Sequence, residues 1–193
     1  MKLIFASHNK NKVKEVKSLI PKTIDLLSLD DINFINEIEE TESTIEGNAL
    51  LKAKTIYKQT GTNCFADDSG LLVESLDGAP GVYSARYAGD QKNDEENMQK
   101  LLLNLSQKTN RNAHFKTVIA LIIDGKEYLF EGIINGKIIS EKLGNDGFGY
   151  DPIFIPDGYS ETFAQMSSEI KNAISHRGIA VQKLVTFLNT SYL

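Results

Sequence analysis

The chain has 193 residues, 41% hydrophobic and 24% charged, with a formal net charge of −5. These are the proportions of an ordinary globular protein with room for a substantial core. The acidic balance argues against a general nucleic-acid binder, which carries a basic stripe.

The single cysteine, Cys64, excludes a disulfide within the chain and reads as a buried core thiol. The run Leu3-Ile4-Phe5-Ala6 is too short for the core of a signal peptide. No stretch approaches the ~20 apolar residues needed to span a bilayer. A cytoplasmic protein with no membrane partner is expected, as one domain over residues 1–193 with no separable linker.

Leu3 to Ala6 reads as a buried strand, and from about Asn11 the spacing of Val13, Val16 and Ile20 turns helical. Between them stands SHNKNK. Lys10, Lys12 and Lys14 crowd a helix start, where the dipole disfavours a cation by roughly 0.3–1 kcal/mol. A strand, a polar loop and a helix N-terminus form an anion site through free amides. The lysines then make sense if a polyanion binds there; the alternative is a solvated lysine face. The P-loop pattern is absent.

After the acidic run Glu37, Glu39, Glu40, Glu42, Ser43 and Glu46 form a capping box for a helix with Ile45, Ala49, Ala53 and Ile56 on one face. Gly61 is its stop. Cys64-Phe65-Ala66 reads as a short strand that meets a turn at Asp67-Asp68-Ser69-Gly70 before Leu71-Leu72-Val73 resumes. Strand alternation sends the two adjacent carboxylates in different directions, so they should not share one role. One is suited to a hard cation, which prefers oxygen ligands, and one acid of the 37–42 run is a candidate to join it.

DGAPGVYSARYAGD is a structured loop, and Asn93 with Glu96 caps a helix carrying Met98, Leu101, Leu102 and Leu105 inward. HFKTVIALIID is a strong strand, Asp124-Gly125 a hairpin signal, and KEYLFEGIINGKII one or two further strands. GNDGFGYDP is glycine-dense, with Phe148 and Tyr150 offering a surface on which a base can stack. Ser175 caps a last helix with a stripe of Val181, Leu184, Val185 and Leu188. His176 and Arg177 then fall in its first turn, again cations at the wrong end. The pattern is α/β with a mixed sheet, because a hairpin cannot be parallel.

Taken in order, SHNKNK, EETESTIEGNALLKA, FADDSGLLVESLDGAPGVYSARYAG, GFGYDPIF and KNAISHRG resemble the inosine triphosphate pyrophosphatase-like family, over nearly the whole chain. The resemblance implies an elongated mixed β-sheet flanked by helices, in two lobes with the active-site cleft between them. It also implies a homodimer that requires Mg²⁺ and hydrolyses ITP, dITP and XTP to the monophosphate and pyrophosphate, which keeps them out of DNA and RNA.

By that resemblance Ser7, His8, Asn9, Lys10, Asn11 and Lys12 cradle the triphosphate. Glu39 and Asp68 bind Mg²⁺, and Asp68 is also the base for the attacking water. Ser69 contacts substrate, and Phe148, Gly149, Tyr150 and Asp151 form the base pocket. Lys171, His176 and Arg177 complete the site, with Arg177 donating to the 6-keto group. The chain departs from the commoner pattern at Glu42, Ile45 and Gly47, where many relatives carry Gly, Phe and Glu.

Overall fold

A computed structural model of the chain describes residues 1–192. The elements follow the order β1 (Lys2–Phe5), α1 (Lys10–Leu19), β2 (Asp25–Ser28), α2 (Ile45–Thr60), β3 (Cys64–Val73), α3 (Asp94–Asn104), β4 (Asn112–Ile123), β5 (Lys126–Ile138), β6 (Phe154–Pro156), α4 (Ser168–Ile174) and α5 (His176–Ser191). Short 3₁₀ turns lie at Glu74–Leu76, Gly81–Arg86 and Asp151–Ile153.

The strands make one six-stranded sheet in the order β2-β1-β3-β4-β5-β6. It is mixed: β1 runs parallel to β2 and β3, whereas β6 is antiparallel to β5. The Asp124-Gly125 turn joins β4 to β5 with φ of 50° and 77°, the left-handed pair that a two-residue hairpin demands.

The chain divides into two compact units. One holds residues 1–68, 117–132 and 177–193; the other holds 69–116 and 133–176. The first has a core of Leu3, Phe5, Val16, Phe65, Ile119, Leu121, Val181, Leu184 and Leu188 with their neighbours. Phe5 and Phe65 stack at 4.9 Å across the β1–β3 pair, and each contributes about 1.5–3 kcal/mol by leaving water. The core of the second unit gathers Leu71, Met98, Leu101, Leu105, Phe115, Phe154 and Phe163, among others.

Several local expectations shift. β3 is continuous for ten residues, so Asp67 to Gly70 is strand and not a turn. The pull of the sheet, in which β3 lies beside β4, overrides the turn-forming composition of the segment. α2 is capped by Thr44, whose hydroxyl accepts from Gly47 N–H at 3.0 Å, one residue after the Ser43 expected. β5 is a single strand of 13 residues. Ser175 directly precedes α5, and its backbone also closes α4 by donating to the Lys171 carbonyl. Cys64 is fully buried; burial pushes its thiol up to about 12. Among the described residues, no helix is long and apolar enough to cross a membrane.

Candidate active site

In the first unit, α1 begins where Asn9 turns its side chain back on the helix. Asn9 Oδ1 accepts from the N–H groups of Asn11 at 3.0 Å and Lys12 at 3.1 Å. The amides expected to meet an anion are therefore already partly taken. Ser7 Oγ accepts from Asn9 N–H, and His8 lies 3.2 Å from the Asn36 carbonyl with its ring stacked on Phe34. His8, Asn9, Lys10 and Asn11 are exposed, but Lys12 turns inward. Its ammonium donates to Asp67 Oδ1 at 3.1 Å.

That bond answers the question the lysines raised at this helix start: one of them has a buried counter-ion 55 residues away. The other oxygen of Asp67 accepts from Arg177 Nε at 3.1 Å, and Arg177 Nη1 donates to Glu15 Oε2 at 2.6 Å. So Lys12 from α1 and Arg177 from the start of α5 converge on one carboxylate. Burial works against charge at Asp67, but Lys12, Arg177 and Lys52 outweigh it and hold the acid below its ordinary 3.8. Arg177 was expected to read a base; here its Nε and Nη1 serve two acids of the protein itself.

Asp68, one residue on, leaves the strand on the other face, as alternation requires. Its Oδ1 accepts from Lys52 Nζ at 3.1 Å, and Lys52 also donates to Glu40 Oε1 at 2.7 Å. Asp68 is 5% exposed, and among the described residues its buried Oδ2 has no hydrogen-bond partner. Burial pushes Asp68 above its ordinary pKa despite Lys52 and Lys12, with Glu40 adding to the rise. Lys52 is held charged: burial opposes it, but Asp68 and Glu40 prevail.

The acid brought to Asp68 is thus Glu40, through Lys52, while Glu39 is exposed. Lys52 escaped the sequence reading although a signal existed. Ile45, Asn48, Ala49, Lys52, Ala53 and Ile56 are all buried, so Lys52 sits inside the apolar stripe of α2. A Cβ at Gly47 would stand 2.8 Å from that of Glu42, so the departures at positions 42 and 47 belong together.

Three cations face four carboxylates here: Lys12, Lys52 and Arg177 against Glu15, Glu40, Asp67 and Asp68. The surplus negative charge suits a divalent cation. Among the described residues, no three His, Cys, Asp or Glu side chains gather closely enough to hold one alone. Mg²⁺ typically takes one or two carboxylates and fills its shell with water and phosphate oxygens.

In the second unit, the glycine-dense loop ends in a buried pair. Lys171 Nζ donates to Asp151 Oδ2 at 2.7 Å and sits 5.0 Å above the Phe148 ring. Asp151 Oδ2 also accepts from Phe148 N–H at 2.8 Å. Gly147 has φ of +78°, and a Cβ there would collide with Asp151 Oδ2, so only glycine brings the loop this close. Gly149 N–H donates to Asp94 at 2.7 Å, and the Tyr150 hydroxyl donates to the Ser84 carbonyl at 2.8 Å. His176 is buried and stacks on Phe115 at 4.6 Å. Ser69 is half-buried in β3.

The family model for the Ham1 family matches residues 3–187. A dITP/XTP pyrophosphatase of Flavobacterium psychrophilum is 58% identical, over 97% of this chain and 98% of that protein. One from Porphyromonas gingivalis is 51% identical, over 97% of each. Among solved structures, the Staphylococcus aureus Ham1 protein superposes with a TM-score of 0.90 at 41% identity, covering 98% of this chain and 99% of that one. A HAM1 protein from Coxiella burnetii gives 0.91 at 39% identity, covering 99% of this chain and all of the other. With the whole fold and nearly every residue in register, this chain belongs to the Ham1 family.

Proposed function

We propose that this protein hydrolyses non-standard purine nucleoside triphosphates, ITP, dITP and XTP, at the bond between the α- and β-phosphates, releasing pyrophosphate and a monophosphate. The observation that carries the reading is Asp68: a buried carboxylate with one oxygen fixed by Lys52 and the other without a hydrogen bond. Relatives spanning nearly the full chain and named dITP/XTP pyrophosphatases support the substrate class.

In this reading Lys12 supplies positive charge to the phosphates, with Ser7 to Asn11 lining their approach. Water attacks the α-phosphorus, the α–β anhydride opens, and the proton of the water passes to Asp68. Lys52 fixes the carboxylate so that its second oxygen faces the reacting water. Asp68, with one oxygen lacking a hydrogen-bond partner, is placed to accept the proton, whereas both oxygens of Asp67 are taken by Lys12 and Arg177 and it stays an anion. Asp68 and Glu40 are the residues that would hold Mg²⁺; Glu40 takes the place first expected of Glu39. When bound, the ion supplies charge that stabilises pyrophosphate as it leaves.

Base choice fits the second unit. Phe148 offers a ring face, and Lys171 offers only donors. A 6-keto purine gives Lys171 an acceptor, whereas the 6-amino group of adenine meets it with another donor; a site built on a required hydrogen bond discriminates strongly. The homodimer and cytoplasmic setting implied by the resemblance belong to the same reading. The test is a panel of nucleoside triphosphates with and without magnesium, scoring pyrophosphate against phosphate. Pyrophosphate from ITP and XTP but not ATP is expected; phosphate alone, or no product, would overturn the reading.

A further inference from the structure

The Lys12–Asp67–Arg177 triad is built asymmetrically. Lys12 and Arg177 bind different oxygens of Asp67. The Arg177 side chain is 3% exposed and has a second acid, Glu15, at 2.6 Å; that of Lys12 is 15% exposed. Lysine carries its charge on a flexible four-carbon stem, whereas the arginine fork is planar and rigid. The backbone at Lys12 is fixed by the Asn9 cap, so only the side chain can travel. A buried carboxylate stripped of its only cation is strongly penalised. Asp67 escapes that penalty if Lys12 leaves, because Arg177 stays.

We propose that Asp67 is the stored counter-ion of Lys12, exchanged for a phosphate oxygen when a polyphosphate binds, while Arg177 remains on Asp67 as its permanent partner. Asp67 is then a positioning residue: it touches neither substrate nor reacting atoms. It balances the Lys12 ammonium when no anion is bound and competes for it when one is, which weakens the hold on pyrophosphate and speeds its release. The inference rests on the reading that Lys12 meets the phosphates.

The test is calorimetric titration with inorganic pyrophosphate at fixed magnesium. Asp67→Asn removes the competitor, so pyrophosphate should bind about tenfold more tightly, on the scale of coupling between close charged pairs. KM for ITP and kcat should fall together. The gain should vanish when Lys12→Gln is added, since it runs through that ammonium. A purely structural Asp67 predicts the opposite sign; unchanged or weaker binding by a variant whose circular dichroism is native would overturn the proposal. Should Asp67→Asn fail to fold, a crystal structure of the unaltered chain with pyrophosphate decides. Lys12 Nζ on a phosphate oxygen with Arg177 still on Asp67 supports the exchange, and Lys12 still on Asp67 sinks it. Failure of the functional reading would show separately, as absence of ITP hydrolysis by the unaltered chain.

Discussion

Two buried ion clusters among the described residues are built on different principles. The first unit spreads seven charges over Glu15, Lys12, Asp67, Arg177, Lys52, Asp68 and Glu40 and leaves an acid in surplus. The second is built on the pair Lys171 and Asp151, walled by Phe148 and Phe163. A network with several exchangeable partners can take in a polyanion and a metal ion, because each new charge finds another to balance it. In the proposed function, the ion pair against aromatic faces meets a flat, uncharged ring through a hydrogen bond and stacking area. Charge and shape recognition would then fall to separate side-chain sets, and the two should fail differently.

The largest expected effect is on chemistry in the first cluster. Asp68→Asn should lower kcat for ITP by about 10²–10⁴-fold, the usual worth of a positioned acid–base group, while the unfolding midpoint stays close to that of the unaltered protein. Steady-state pyrophosphate release checks it, and full activity would remove Asp68 from the mechanism.

Next comes the second cluster. Asp151→Ala strands Lys171 in the interior and takes the acceptor from Phe148 N–H, which should cost about 3–5 kcal/mol in urea unfolding. Adding Lys171→Met should restore much of that stability but not the preference for ITP over ATP. Recovery of the preference would break the division between the clusters.

The smallest effect is a pH dependence. Asp67 is held below its ordinary 3.8, so its contribution to stability is complete above that value and is lost as the pH falls toward the lower folded one. Asp68 is shifted the other way and gives no such loss. Acid unfolding followed by circular dichroism should therefore be delayed in the unaltered chain relative to Asp67→Asn, and coincident curves would refute the assignment.

Much of the fold was legible because it is local. Asn93 caps through its own side chain, Gly61 and Asp124-Gly125 act through their own backbone, and the stripes of α2, α3 and α5 show in their periodicity. Where long-range pairing competed with local preference, the sequence misled. The Asp67–Gly70 segment has turn composition yet lies within a strand, because the sheet holds β3 extended beside β4. For the candidate site residues, the sequence did not show their partners. Glu39 and Glu40 are adjacent in an irregular segment, where no periodicity fixes which one faces inward.

By itself, then, the sequence determined most of the helices and strands and their buried faces, the opposed directions of Asp67 and Asp68, and the family. Only the tertiary structure decided that Lys12 and Arg177 meet on Asp67, that Lys52 joins Asp68 to Glu40, and that Lys171 holds Asp151. The physical reason is range. Propensity and hydrophobic spacing act over a few residues, whereas these ion pairs span up to 110 positions and depend on strand register and helix rotation.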